Sequence, residues 1–418
     1  MDLQGKRLLL LGGSNSTEDI QRFARRNGIT LIATAPARYG FTPLKRIAQE
    51  SYEIDCTDET GLAALIREKH IDGIFPGNNE DIMPHAIAAA ELAGLPIYCD
   101  SRMWDTCANK AKFKQMCREA GIPVAGTYDL SVTPPEDIPY PVVVKPADSC
   151  GSQGFSICHN PGELTAALQK ALPFSRTGTV LIEDFIPYDA AILHYTLTDG
   201  DIQFCGMSDK VSLLLGEGGG SVMALQQFPS ESTERYLAET DEKVRRMFRK
   251  AGMHDGPVWI EAFNDNGNVI FNEMGYRFGG SMTYYPIRYF YGVDQLELML
   301  RYSLGDRPDG EAHQSLIRRD RPAGYRYAIL PLHVHAGTIA AVVGEDTLRG
   351  MEQVYAYVPI HEAGDTVRGT GTVHQVFCYL HLLYRDREDL RRTVADIRRV
   401  LKVTGSDGEE LLFQLYQL

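Results

Sequence analysis

The chain has 418 residues, 44% of them hydrophobic, and a formal net charge of −13. That length supports two or three domains, and the acidic balance argues against nucleic acid or an anionic membrane as the main partner. The eight cysteines stand singly, with no CxxC pair, and no apolar run is long enough to span a bilayer. With no secretory signal at its start, the sequence is expected to be a soluble cytoplasmic α/β protein.

Residues 1–104 alternate between two periodicities. "KRLLLLGG", "GITLIAT", "IDGIFPG" and "LPIYCD" are short apolar runs of the kind buried parallel strands show. Between them, "STEDIQRFARRNG", "DETGLAALIREKH" and "NNEDIMPHAIAAAELAG" carry helical spacing and acidic first turns. The pattern predicts an open, doubly wound sheet. Its first turn, at Gly12 and Gly13, lacks GxGxxG, and "LIATAP" replaces the ribose-binding acid expected about twenty residues on. A nucleotide is therefore not expected there.

Further along, "DTCANKAKFKQMCREAGIPV" reads as one helix stopped at Gly121, and "PYPVVVKPADSCGSQGF" as a strand, a glycine-rich loop and a second strand. "ELTAALQKAL" is helical and "TVLIEDFI" a strand. Antiparallel hairpins follow, turning at Asp199-Gly200 and at Asp265-Asn266-Gly267. The run "GEGGG" at 216–220 reads as a loop near an acceptor site or a plain surface loop. Beyond residue 320, strands mix with a basic helix, "REDLRRTVADIRRVLK".

Two features carry chemistry. Lys145 closes an apolar strand and is followed at once by a loop containing Gly151 and Gly154. A point charge beside freely turning backbone N–H groups is a polyphosphate cradle, although a lysine reaching water from an edge strand would look the same. Glu261 and Glu273 sit on two runs folded about Gly267, which puts them opposite one another or within a residue of it. Opposed like charges destabilise a strand pair unless a hard cation joins them, or a register slip sends one to solvent. Arg277 adds a fork of donors, and Arg288, inside the aromatic stretch 284–291, is a candidate partner for a substrate carboxylate.

The order Lys110, "VVVKPADSCGSQG", "IEDFI", "WIEAF" and "FNEMGYRFGG" resembles the ATP-grasp superfamily, in particular its carboxylate–amine ligases and carbamoyl-phosphate-synthetase-like members. The resemblance implies a Rossmann-like domain at 1–104, a two-lobed ATP-grasp core at 105–320 (lobe A about 110–183, lobe B about 184–320), and a C-terminal α+β domain at 321–418 completing the active-site lobe. It implies Lys110 and Lys145 on the ATP phosphates, with Ser149, Gly151, Ser152 and Gly154 folded over them. Glu183, Asp184, Phe185 and Ile186 would form the adenine hinge, Glu183 accepting from the exocyclic amine, and Asp189 would meet the ribose. Glu261 and Glu273 would hold Mg²⁺ or Mn²⁺. Arg277, Lys145 and Lys210 would be catalytic.

The implied reaction phosphorylates a carboxylate and couples the acyl phosphate to an amine. Carboxyphosphate chemistry and a non-catalytic ATP-binding protein are the alternatives. The implied partners are two small molecules and a second copy of the chain, with no nucleic acid and no membrane. Where the family commonly has Asn, this chain has Gly275; strand alternation would turn the nearby Asn272 to the other face.

Overall fold

The structure, a computed structural model, describes residues 1–12, 15–35, 43–149, 153–214, 221–265, 267–307 and 324–413. The first segment alternates β1 (Arg7–Leu11), α1 (Thr17–Asn27), β2 (Thr30–Thr34), α2 (Pro43–Ile47), β3 (Glu50–Tyr52), α3 (Glu59–Glu68), β4 (Gly73–Phe75) and α4 (Met83–Ala93). Its strands pair in parallel in the order β3-β2-β1-β4. Leu8 to Leu11 are fully buried because both faces of β1 are covered. Gly28 and Gly94 end α1 and α4 in the left-handed conformation that glycine tolerates best.

One strand differs from expectation. Residues 95–100, "LPIYCD", form no ladder; the fourth strand is the short, half-exposed β3. Tyr98 and Cys99 are nonetheless buried, and the Tyr98 hydroxyl donates to the Tyr276 carbonyl at 2.5 Å. The apolar run packs its side chains against the central core instead of pairing its backbone.

The helix expected from residue 105 to its stop at Gly121 is two helices, α5 (Ser101–Ala108) and α6 (Lys110–Glu119). Asn109 breaks them. Its backbone is extended, and its side chain accepts from the N–H groups of Ala111 and Lys112, capping the new helix. A small antiparallel sheet follows, ordered β6-β5-β7, from β5 (Val142–Pro146), β6 (Ser156–Cys158) and β7 (Val180–Asp184), with α7 (Pro161–Ala171) against it. This lobe has a core of its own, including Val142, Val144, Leu164 and Ile182.

The remaining chain builds a larger sheet. Its elements are β8 (Ala190–Thr198), β9 (Asp201–Leu214), β10 (Ser221–Phe228), α8 (Thr233–Glu239), α9 (Asp241–Ala251), β11 (Gly256–Asp265), β12 (Asn268–Gly275), α10 (Tyr284–Tyr291) and α11 (Gln295–Ser303). Then come β13 (Arg326–His333), β14 (Gly337–Val343), α12 (Glu345–Arg349), β15 (Val354–Pro359), β16 (Thr366–Val367), β17 (Val376–Tyr384), α13 (Arg387–Val400) and β18 (Lys402–Gly405). Eight strands run β12-β11-β8-β9-β10-β13-β17-β15, so three strands from beyond residue 320 extend the central sheet; β16-β14-β18 form a separate one. Asp199-Gly200 makes the β8–β9 turn with positive φ at both residues. Among the described residues, no helix is long and apolar enough to cross a membrane.

Candidate active site

The acidic pair forms as the hairpin required. Glu261 and Glu273 lie directly opposite each other across β11 and β12. The next pair, however, is Ala262 with Phe271, so Asn272 is the extra residue of a β-bulge. The bulge corrects the strand-alternation argument: Asn272 does not turn away. Its Nδ2 donates to Glu261 Oε1 at 3.1 Å, and its Oδ1 accepts from Lys145 Nζ at 2.7 Å. Gly275 is explained by its neighbour, since a Cβ there would lie 2.2 Å from Trp259 Nε1, inside the indole that faces it.

Four lysines pair with these acids and with a third, Glu183. Lys110 enters at the first position of α6, where its backbone N–H donates to Ala147 O; its ammonium meets Glu273 Oε2 at 3.1 Å and Ser149 O at 2.6 Å. Lys145 Nζ lies 2.9 Å from Glu183 Oε2. Lys210, on β9, lies 2.5 Å from Glu261 Oε2. Lys114, which the sequence reading did not single out, donates to Glu183 Oε1 at 2.5 Å and is 1% exposed. Its signal was its place one turn after Lys110 on the same helix face.

The electrostatics follow from this crowding. Burial opposes ionisation of Glu273, but Lys110, with Lys145 and Lys210 behind it, outweighs that and holds the carboxyl down to about 2. Burial likewise opposes the charge on Glu183, yet Lys145 and Lys114 keep it below the usual range. Burial would lower Lys210, but Glu261 and Glu273 raise it. Four ammonium groups face three carboxylates, leaving one positive charge in excess. A bound anion would neutralise that excess. The two opposed carboxylates and the adjacent carboxamide are hard oxygen donors that suit Mg²⁺ held jointly with phosphate.

Other expected residues lie differently. Glu183 does not present a free carboxylate to an adenine amine: the residue is 2% exposed and shared by two lysines. Asp184 points to the opposite strand face, where it accepts from Gly126 N at 2.9 Å and from the Tyr128 hydroxyl, so its side chain fixes the 126–128 segment. Phe185, 36% exposed, and half-buried Ile186 lie on the segment joining the two sheets; Asp189, on the same segment, is exposed and its carbonyl accepts from Asn264 N. Gly154 takes positive φ, and a Cβ there would come within 3.0 Å of the Ala171 Cα. Ser149 spans the loop mouth, its hydroxyl donating to Gln153 O. Gly13, Gly151, Ser152, Asn266 and the run 216–220 lie outside the described residues.

Arg277 is 8% exposed and stacks over Trp259 at 5.3 Å. Its Nη2 donates to Glu80 Oε2 at 2.6 Å, joining the loop after β4 to the core, and its Nη1 donates to Phe278 O. Arg288 pairs with Asp294 at 3.0 Å.

The sequence profile of the ATP-grasp domain matches residues 138–284, the stretch that carries Lys145, Glu183, Lys210, Glu261, Asn272, Glu273 and Arg277. Residues 138–284 therefore form an ATP-grasp domain. As an ATP-grasp enzyme the chain is an ATP-dependent ligase, working with ATP and Mg²⁺ on small molecules. Formate-dependent phosphoribosylglycinamide formyltransferase of Bacillus subtilis is 25% identical over 283 residues, covering 66% of this chain and 71% of that protein. The Prochlorococcus marinus (strain MIT 9303) protein of the same name is 27% identical over 287 residues, with the same coverage. The ATP-grasp fold extends beyond the matched domain. The L-amino acid ligase of Bacillus licheniformis superposes with a TM-score of 0.75 over 96% of this chain and 99% of that one, at 18% identity. The biotin carboxylase domain of Hydrogenobacter thermophilus 2-oxoglutarate carboxylase gives 0.76 over 98% and 91%, at 16% identity.

Proposed function

We propose that this enzyme transfers the γ-phosphoryl group of ATP to a substrate carboxylate and passes the resulting acyl phosphate to an amine, releasing ADP and phosphate. The observation that carries the reading is the connected set Lys110, Lys145, Lys210, Glu261, Asn272 and Glu273, with its excess positive charge. Phosphoryl transfer depends on positioning and charge neutralisation more than on covalent help, and these groups provide both. Lys110 and Lys145 are donors to the phosphates. Glu261, Glu273 and Asn272 would hold Mg²⁺, which supplies charge neutralisation on the phosphate oxygens when bound. Lys210 exchanges part of its bond to Glu261 for the developing oxyanion. Arg277 steadies the transferred group through donors that Glu80 leaves unused. The backbone of 184–186 serves the adenine, and Asp189 the ribose.

The first substrates to test come from the relatives' names: formate as carboxylate and a phosphoribosylglycinamide as amine, then pairs of amino acids. We place the enzyme in the cytoplasm as a homodimer, which light scattering on the purified chain checks. ADP release should require Mg²⁺, a carboxylate and an amine together. Release driven by bicarbonate alone would indicate carboxyphosphate chemistry, and nucleotide binding without any release would reject turnover. Glu273→Ala should abolish Mg²⁺-dependent release while leaving the far-ultraviolet dichroism unchanged; full activity in that variant would refute the site.

A further inference from the structure

We propose that Lys114 is a positioning residue for nucleotide binding: by neutralising Glu183 it frees the charge of Lys145 for a polyphosphate. The inference rests on the reading of Lys145 as a phosphate donor. Lys114 itself cannot be one. Its ammonium lies behind Glu183, 1% exposed, and Glu183 is the one ion-pair partner it makes among the described residues.

The geometry is a line of charged and polar groups drawn from five elements. Lys114 on α6 donates to one oxygen of Glu183 on β7, and Lys145 on β5 holds the other at 2.9 Å. Lys145 continues to Asn272 on β12 at 2.7 Å, and Asn272 to the Glu261 carboxylate on β11 at 3.1 Å. A buried pair kept only for stability needs one lysine per carboxylate. Here two ammonium groups converge on one buried carboxylate, which leaves the triad with one positive charge in a place where water cannot screen it. The cost registers on Lys114, which burial and then the neighbouring Lys145 push down to about 8. Such an excess is unfavourable until an anion arrives, and Lys145, 11% exposed by side chain, is the only member of the triad placed to meet one.

Without Lys114 the remaining Glu183–Lys145 pair would be neutral, and Lys145 would be drawn to the carboxylate. The net charge of this triad therefore orders a set of variants. Lys114→Met removes the excess, Glu183→Gln enlarges it, and the double variant restores it. Titration calorimetry of the full chain with Mg·ADP should show Lys114→Met binding about tenfold more weakly, the scale of one unit charge at moderate effective dielectric. Lys114→Arg should recover to within about threefold, and the double variant should bind more tightly than Lys114→Met alone. In turnover, KM for ATP should rise in Lys114→Met with kcat and the other substrates' KM values little changed. If Lys114→Met does not fold, the double variant compared with Glu183→Gln carries the same test, with weaker binding expected in the double. Wild-type affinity in Lys114→Met, or a double variant no tighter than that single one, overturns the inference alone. A wild-type chain that binds no Mg·ADP overturns the ATP reading with it.

Discussion

Asn272, and not position 275, brings a carboxamide to the Glu261 carboxylate. A side chain at 275 would collide with the Trp259 indole, and that ring also carries Arg277 on its face. Gly275→Asn should therefore destabilise the protein by about 1–3 kcal/mol, the usual cost of forcing atoms into a packed site. Adding Trp259→Ala to the same chain should shrink that penalty, because the two side chains compete for one space. Urea unfolding midpoints of the four chains measure it, and an equal penalty with and without the indole would contradict the steric account. None of this was legible beforehand. The sequence displays Glu-Met-Gly-Tyr-Arg, but a bulge is one residue of register, and strand alternation alone sends Asn272 to the wrong face. The acids themselves were legible, because a turn at Gly267 puts them opposite one another or within a residue of it, and the structure has them directly opposite.

Among the elements, the break between α5 and α6 places Lys110 and Lys114. A continuous helix would carry Lys110 past the loop it serves. The Asn109 cap restarts the helix so that the Lys110 backbone meets Ala147 and its ammonium meets Ser149 and Glu273. Helical spacing on both sides of residue 109 reads as one element, since an asparagine inside a periodic run is a weaker stop than glycine or proline. Asn109→Ala removes the cap and should cost about 1 kcal/mol in stability. It should also raise KM for ATP by more than that loss explains, because the fused helix misdirects both Lys110 and Lys114. A stability loss with an unchanged KM would show that the break serves folding alone. The reverse error occurred at residues 95–100, where an apolar run was read as a strand but is buried through its side chains. Apolar spacing reports burial, and burial does not require a ladder.

At the scale of the whole molecule, three histidines embedded in the eight-stranded sheet link stability to acidity. His194 on β8, His333 on β13 and His381 on β17 are each no more than 1% exposed. Both ring nitrogens of His333 and of His381 lack a hydrogen-bond partner among the described residues. Burial drives the folded-state values down to about 3, 4 and 3 respectively. An unfolded histidine takes up its proton near pH 6.5, so between about pH 6.5 and 4 the unfolded chain binds protons that the folded one refuses. Stability is thus complete above that upper value and falls as pH drops through the window. With all three sites engaged, the limiting slope is about 4 kcal/mol per pH unit. Urea midpoints at pH 7, 6 and 5 should fall steeply. His381→Phe, which keeps a ring beside Tyr285 and Tyr327, should flatten the fall by about a third. A variant whose midpoints run parallel to those of the wild type would place the proton uptake on other groups. Because β13 pairs with β10, and β17 lies beyond it in the same sheet as Lys210 on β9, the acid limb of the activity profile should follow the same loss of fold.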